Sequence, residues 1–230
     1  MLFPYYVCNL MYKDKIPSLA FTIAINLLPI WGVWQWNWSP FTVFYLYWIE
    51  TLIIAVFNAL KILFSRGDDP MIPSLSLAKK AITYLSIRTL IFFFYLIFLV
   101  PILGFALSGK AGEQAVKDIL FFLNTTFNFA LLGFVLNQAI QFLLNFVLNE
   151  EYKKSRASDY APIFDNRQII IHLAVIITAF IIVYLKGGFS DTETEIPLNQ
   201  STAYLYSITA FCIVKIMIDI VKIKRPTQTS

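Results

Sequence analysis

About six apolar stretches, each of roughly 20 residues or more, constrain the fold of this chain more than any other feature. A helix rises about 1.5 Å per residue, so a stretch of that length crosses a hydrocarbon core of about 30 Å. The stretches do not alternate apolar and polar residues as barrel strands do. The sequence therefore predicts an all-α, polytopic transmembrane helix bundle. It forms a single integral membrane domain over residues 1–230, with spans at about 17–36, 41–64, 81–107, 119–148, 168–185 and 202–221.

The composition excludes several other classes of protein. Hydrophobic residues make up 58% of the chain and charged residues 14%, whereas soluble domains carry about 25% charged residues. A net charge of +4 gives no case for nucleic-acid binding. Cys8 and Cys212 lie far apart, and the chain has neither CxxC nor Cys/His metal spacing. We expect no disulfide, no metal site and no cofactor.

The first twelve residues are apolar, but they are too short to span a membrane and no positive residue precedes them. This pattern does not fit a signal peptide. It favours an interfacial segment over residues 1–12, and an extension of the first span is the alternative.

The distribution of Lys and Arg predicts the orientation. Twelve of them flank the spans on one side and three on the other. Cytoplasmic loops carry the excess of positive residues. Both termini are therefore predicted to be cytoplasmic, which agrees with an even number of spans.

Polar side chains inside the predicted spans are the candidate functional residues, because each is costly in lipid unless it is paired, hydrated or near an end. Glu50 is expected near the midplane, about 14 Å into its helix. Lys215 and Asp219, an i, i+4 pair, are expected towards the cytoplasmic end. The intramembrane polar site comprises Glu50, Asn58, Lys61, Arg88, Arg167, His172, Lys215 and Asp219. A polar stripe on one face of the fourth span comprises Asn124, Asn128, Gln138, Gln141 and Asn145.

Structural interpretations stand beside these functional ones. Lys61 can snorkel to the headgroups, and Lys215 with Asp219 can form a self-neutralising pair. A polar stripe of this kind is typical of hydrogen bonding between helices. A single histidine such as His172 is typically a hydrogen-bonded structural residue. Glu50 is the hardest to explain in this way, since it is too short to snorkel. It must be protonated, hydrated or paired with a base from another helix, such as Arg88 or His172.

Short motifs in three spans also suggest a family. Tyr47-Trp48-Ile49-Glu50 followed by Asn58 and Lys61 resembles the YWxE…N..K helix of an uncharacterised group of bacterial multi-pass membrane proteins, a domain of unknown function. The chain departs from that pattern at the residue after Glu50, which is Thr51 instead of Asn. Two later stretches are similar to the same group, namely Pro162, Arg167 and His172, then Lys215 and Asp219. The resemblance implies a bacterial cytoplasmic (inner) membrane protein and implies no activity.

Three functions fit these features. The first is a small transporter or channel-like protein that moves a proton, ion or small solute past Glu50. The second is a lipid-binding or assembly protein with a basic inner-leaflet pocket for anionic headgroups, a second copy or a partner subunit. The third is an intramembrane enzyme with Glu50 and His172 as acid and base. It is the least favoured, because the chain has no HExxH, no GxSxG and only one His.

Overall fold

A computed structural model describes residues 22–67, 73–101 and 109–163, together with residues 173, 176–177, 180, 208–209, 211–213 and 215–217. Every regular element in these ranges is helical, and no strand occurs among them. The predicted all-α class is therefore confirmed for the described part of the chain. Residues 1–12, Arg167, His172 and Asp219 lie outside it.

Helix α2, Pro40–Phe64, is the central element of the fold. It follows helix α1 (residues 22–36), and Ser39 caps its start by accepting a hydrogen bond from the Thr42 amide at 3.3 Å. Pro40 suits the first turn, where its missing N–H has no helical partner to lose. All residues from Pro40 to Thr51 are buried. A helix that is enclosed on every side belongs inside a bundle.

Helix α3, Ser74–Leu99, packs along α2. The indole of Trp48 lies against the rings of Phe92 and Tyr95, at centroid distances of 6.0 and 4.2 Å. Its N–H donates to the Phe92 carbonyl at 3.1 Å. The helix begins seven residues earlier than the predicted third span, directly after Pro73.

The predicted fourth span, residues 119–148, is divided in the structure. Helix α4, Gly109–Leu120, covers a stretch predicted to be a loop, and the chain then turns at Phe122, where φ is 57°. Helix α5, Thr125–Gln141, starts after the turn, with the Asn124 side chain accepting from the Phe127 amide at 2.9 Å. It continues as a π-helix over Phe142–Leu148. Although residues Glu113–Leu148 are apolar enough to count as one span, the positive φ and the cap mark a real break.

Three helical stretches among the described residues are long and apolar enough to cross a membrane: Pro40–Phe64, Ser74–Ile97 and Glu113–Leu148. Large apolar side chains cover their outer faces, including Leu90 and Phe94, which are 71% and 63% exposed. This is the surface that a lipid-facing helix presents. The chain is thus suited to a membrane. The count of six spans and the cytoplasmic termini remain predictions.

Two connections that were predicted on the same side of the membrane touch each other. Residues 149–163 contain two short 3₁₀ turns, Glu151–Lys153 and Ala157–Tyr160, and fold back on the end of α2. We call this segment the 149–163 loop. The amide of Arg66 donates to the Tyr152 carbonyl at 2.7 Å, and that of Gly67 to the Ser155 carbonyl at 3.0 Å.

Gly67 is expected to be the more sensitive of two glycines. A Cβ atom there would overlap the backbone carbonyl of Lys154. Because this atom belongs to the backbone, the 149–163 loop would have to shift to relieve the overlap. At Gly133 the nearest atom would be Cδ1 of Ile25 at 2.8 Å, the far end of a flexible side chain. Gly67→Ala should therefore cost about 1–3 kcal/mol and lower the unfolding midpoint by roughly 2–4 °C per kcal/mol. Gly133→Ala is the matched control, and equal midpoints for the two variants in detergent would contradict the loop packing.

Candidate functional site

The candidate site is an ion pair enclosed within the helices. Lys215 Nζ lies 2.9 Å from Glu50 Oε2 and 3.2 Å from Glu50 Oε1. Glu50 is 2% exposed and Lys215 4%. Glu50 comes from the buried half of α2, whereas Lys215 comes from helical residues 208–209, 211–213 and 215–217, which we call the Lys215 segment. The pair thus joins two parts of the chain 165 residues apart.

A third helix also contributes to the coordination of the ammonium. Lys215 Nζ donates to Oδ1 of Asn26, on α1, at 2.5 Å. The amide nitrogen of Asn26 donates to the Thr22 carbonyl at 2.9 Å, which turns the amide oxygen towards the lysine. An ammonium has three protons to donate. The three oxygen atoms of Asn26 and Glu50 can accept all of them.

Aromatic rings line two further sides of the ammonium. Lys215 Nζ lies 4.8 Å from the centroid of the Tyr47 ring and 5.6 Å from that of Phe134, on α5. The Tyr47 hydroxyl lies 3.3 Å from the Asn26 carbonyl, to which it donates, and 3.1 Å from Sγ of Cys212. Both ring distances are within the usual range for cation–π attraction.

Neutral polar side chains extend from the pair towards α5. The Thr22 hydroxyl donates to Oδ1 of Asn137 at 3.3 Å. The amide nitrogen of Gln141 donates to the same oxygen at 3.2 Å and lies 3.4 Å from the Thr22 hydroxyl oxygen. We define the buried polar network as the residues Thr22, Asn26, Glu50, Asn137, Gln141 and Lys215.

The folded protein is more stable with both charged residues of the pair than with one of them alone. Removing two ions from water costs several kcal/mol per ion, by an order-of-magnitude estimate, and their attraction repays this only with good geometry and further hydrogen bonds. Asn26 and the rings supply such contacts to the ammonium. The loss of either charged residue alone leaves the other charge buried among apolar groups.

A second group of predicted residues lies where α2 and α3 meet the 149–163 loop. Arg88 is 5% exposed and donates to the Ile163 carbonyl at 2.8 Å, with a longer contact of 3.5 Å to the Thr51 carbonyl. Asn58 donates to the Tyr84 hydroxyl at 3.3 Å. Lys61 Nζ lies 5.2 Å from the centroid of the Tyr160 ring. Arg88 and Lys61 thus bring the loop against the helices.

Tyr160 anchors this contact in its neutral form. Burial raises the pKa of its phenol well above the usual range. The hydroxyl therefore keeps its proton and donates to Oε1 of Glu151 at 3.1 Å. The ring face stays available to the Lys61 ammonium.

The structure arranges the predicted residues differently from the expectation. Glu50 has Lys215 as its partner, in place of the expected Arg88 or His172. The Lys215 ammonium lies beside the Glu50 carboxylate, whereas the two residues were expected at different positions along their spans. Their depths in a membrane remain predictions. In the predicted stripe, Gln141 joins the network, Asn124 caps α5 and Asn128 donates to the Phe122 carbonyl at 2.6 Å. Gln138 is half-buried and Asn145 exposed, so the five side chains do not act as one stripe.

Four members of the site were not predicted from the sequence: Thr22, Asn26, Tyr47 and Asn137. Thr22 and Asn26 are four residues apart, as are Asn137 and Gln141, so each pair lies on one helix face. That spacing of polar residues within apolar segments was the available signal. Among the described residues, no three His, Cys, Asp or Glu side chains converge on a position for a metal ion.

Comparison with known proteins identifies the family. Residues 12–229, almost the whole chain, match the model of a family described as "Family of unknown function (DUF6498)". The chain belongs to this family. The match confirms the resemblance to an uncharacterised family drawn from the sequence motifs. No curated protein and no solved structure matches the chain significantly.

The ion pair gives a double-mutant prediction. Glu50→Gln or Lys215→Met alone should each destabilise the protein by about 3–5 kcal/mol, because an unpaired charge stays buried. The double variant should recover a large part of that loss. The measurement is the unfolding midpoint of the purified protein in detergent. The exposed pair Glu113 and Lys117, 2.8 Å apart, is the control, and its neutralisation should change the midpoint little. Strictly additive losses at Glu50 and Lys215 would disprove the coupling.

Arg88 should hold the 149–163 loop in place. A hydrogen bond from a charged donor contributes about 1.5–3 kcal/mol. Arg88→Met should therefore speed tryptic cleavage within the loop by roughly one to two orders of magnitude, through more frequent opening. The loop offers Lys153, Lys154 and Arg156 as cleavage points. Lys80→Met is the control, since Lys80 is exposed on the same helix. Cleavage at the wild-type rate in Arg88→Met would show that Arg88 does not secure the loop.

Proposed function

We propose that this protein is a small membrane transporter in which the Glu50–Lys215 pair is the coupling site for a proton or small cation. The observation that carries the proposal is the ion pair itself, with Nζ 2.9 Å from the carboxylate in an enclosed, apolar setting. Ionisable residues within spans are rare and mark ion paths, proton relays or ligand counter-ions.

The enclosure of the pair favours alternating access over an open channel. Both side chains are at most 5% exposed, so the described structure corresponds to an occluded site. Lys215 neutralises Glu50 in this state. A proton or cation that reaches Glu50 replaces the lysine as its counter-charge, and the Lys215 segment is then released from α2. A ligand that binds one of two states better shifts the equilibrium towards that state.

The placement of the pair among several helices also supports a transporter. The network draws on α1, α2, α5 and the Lys215 segment, so relative movement of these elements must break or remake its hydrogen bonds. We propose six spans, with both termini in the cytoplasm of a bacterium. The contact between the Arg66–Gly67 connection and the 149–163 loop supports this topology, since the distribution of Lys and Arg predicts both on the cytoplasmic side.

The alternative functions have less support from these contacts. A basic pocket for anionic lipid needs cations that point to a common ligand. Lys61 lies over Tyr160, Arg88 donates to backbone carbonyls and Lys215 binds Glu50. An acid–base pair of Glu50 and His172 needs Glu50 to be available for that role, whereas its carboxylate is engaged by Lys215.

Flux through purified protein in liposomes tests the proposal. The vesicles carry a pH-sensitive dye inside, and a potassium diffusion potential is imposed across their membrane. Wild-type vesicles should acidify faster than empty ones when the potential is negative inside, and alkalinise faster when it is positive inside. Glu50→Gln should reduce the rate by about tenfold or more, because the buried carboxylate that carries the proposed coupling is lost. Glu113→Gln, on the exposed pair, should behave as wild type. Equal rates for folded Glu50→Gln and wild type would rule out this role for Glu50.

A further inference from the structure

The surroundings of Lys215 Nζ have the form of a receptor for an ammonium ion. Three oxygen atoms, Oδ1 of Asn26 and both of Glu50, lie 2.5–3.2 Å from the nitrogen. The ring faces of Tyr47 and Phe134 line two further sides. We call these four residues the ammonium cage: Asn26, Tyr47, Glu50 and Phe134.

The cage is supported by contacts that do not involve Lys215. The Asn26 amide is oriented by its hydrogen bond to the Thr22 carbonyl. The Tyr47 hydroxyl donates to the Asn26 carbonyl at 3.3 Å, and the Tyr47 ring packs edge-on against Phe134 at 5.9 Å. The cage residues come from α1, α2 and α5, whereas the cation comes from the Lys215 segment. The receptor and its present occupant thus belong to different elements.

The chemistry of the cage selects one class of cation. A primary ammonium has three protons for the three oxygens and a compact charge for the two rings. A quaternary ammonium has no proton to donate to Asn26 or Glu50. A guanidinium is a planar fork whose geometry suits bidentate pairing with one carboxylate. Two of the cage walls are aromatic, so within the described part of the chain the cage offers a sodium ion three oxygens from Asn26 and Glu50.

We propose that the cage is the cargo site and that the cargo is a small primary organic ammonium, which takes the place of the Lys215 side chain on Glu50. This inference rests on the proposed transport function and names its substrate class. Lys215 is then an internal substitute for the cargo. It keeps Glu50 neutralised when no cargo is bound and withdraws when cargo enters.

A rescue experiment tests the cage separately from transport. Lys215→Ala in the full chain removes the occupant and leaves the four cage residues. Butylammonium chloride, which reproduces the lysine side chain, should raise the unfolding midpoint of this variant in detergent by roughly 2–4 °C at saturating concentration. Sodium chloride and tetramethylammonium chloride at equal ionic strength should not. The rise should vanish in Lys215→Ala/Glu50→Gln. It should be smaller in Lys117→Ala, because there the ammonium must first displace Lys215 from the cage. A rise of the same size with all three salts, or none with butylammonium, overturns the cage.

A second measurement keeps the inference testable if Lys215→Ala does not fold. At about pH 6.5, where an alkylamine is protonated, wild-type proteoliposomes should take up labelled butylammonium faster than vesicles with Glu50→Gln or Asn26→Leu. The control is Glu113→Gln, which should match wild type because it alters only the exposed pair. Glu50-dependent proton flux without Glu50-dependent amine uptake overturns the cargo assignment and leaves the proposed function standing. Absence of both overturns the proposed function itself.

Discussion

The attraction between Lys215 and Glu50 is the interaction on which the arrangement of the helices depends. Neither group is tolerable alone among the aromatic and aliphatic side chains that surround it. Their contact therefore fixes the Lys215 segment against α2 at one level. Asn26 shares the same ammonium, which brings α1 to that level as well. Apolar packing alone allows helices to shift along one another. A buried ion pair forms only when the two helices are aligned so that its charged groups meet.

The neutral part of the network gives α5 its place relative to α1. Asn137 and Gln141 accept and donate hydrogen bonds around Thr22, so the contact is polar on both sides. In lipid, packing apolar helix surfaces together gives little hydrophobic stabilisation, because the lipid tails are themselves apolar. Hydrogen bonds of this kind therefore contribute to the association of the helices. At the other end of α2, Arg88 and Lys61 contact the 149–163 loop. The Glu50–Lys215 pair thus connects helices to one another, whereas Arg88 and Lys61 connect helices to the 149–163 loop.

The sequence was informative where a single residue conflicts with its surroundings. Apolar runs predicted the three described helical stretches that are long and apolar enough to cross a membrane. Glu50 and Lys215 were recognised because charge is rare in such runs. Their pairing was not predictable, since the spacing along the chain does not say which helices are neighbours. Asn26 was missed because it is an isolated neutral amide in an apolar segment. Asn137 was missed because it lies beside the predicted stripe of the fourth span and not within it. The turn at Phe122 was missed because Phe121, Phe122 and Leu123 continue an apolar run without Gly or Pro. Only the cap at Asn124 and the positive φ reveal it.

The long separation of the paired residues has a consequence for biogenesis. Glu50 leaves the ribosome 165 residues before Lys215, a delay of roughly 8–33 s at about 5–20 residues per second. During this interval the second helix enters the bilayer with a carboxyl group whose counter-ion does not yet exist. Until the Lys215 segment is synthesised, the carboxyl group of Glu50 has to be accommodated without the ammonium that faces it in the folded structure. The helices can therefore close around Glu50 only when the Lys215 segment brings the matching charge.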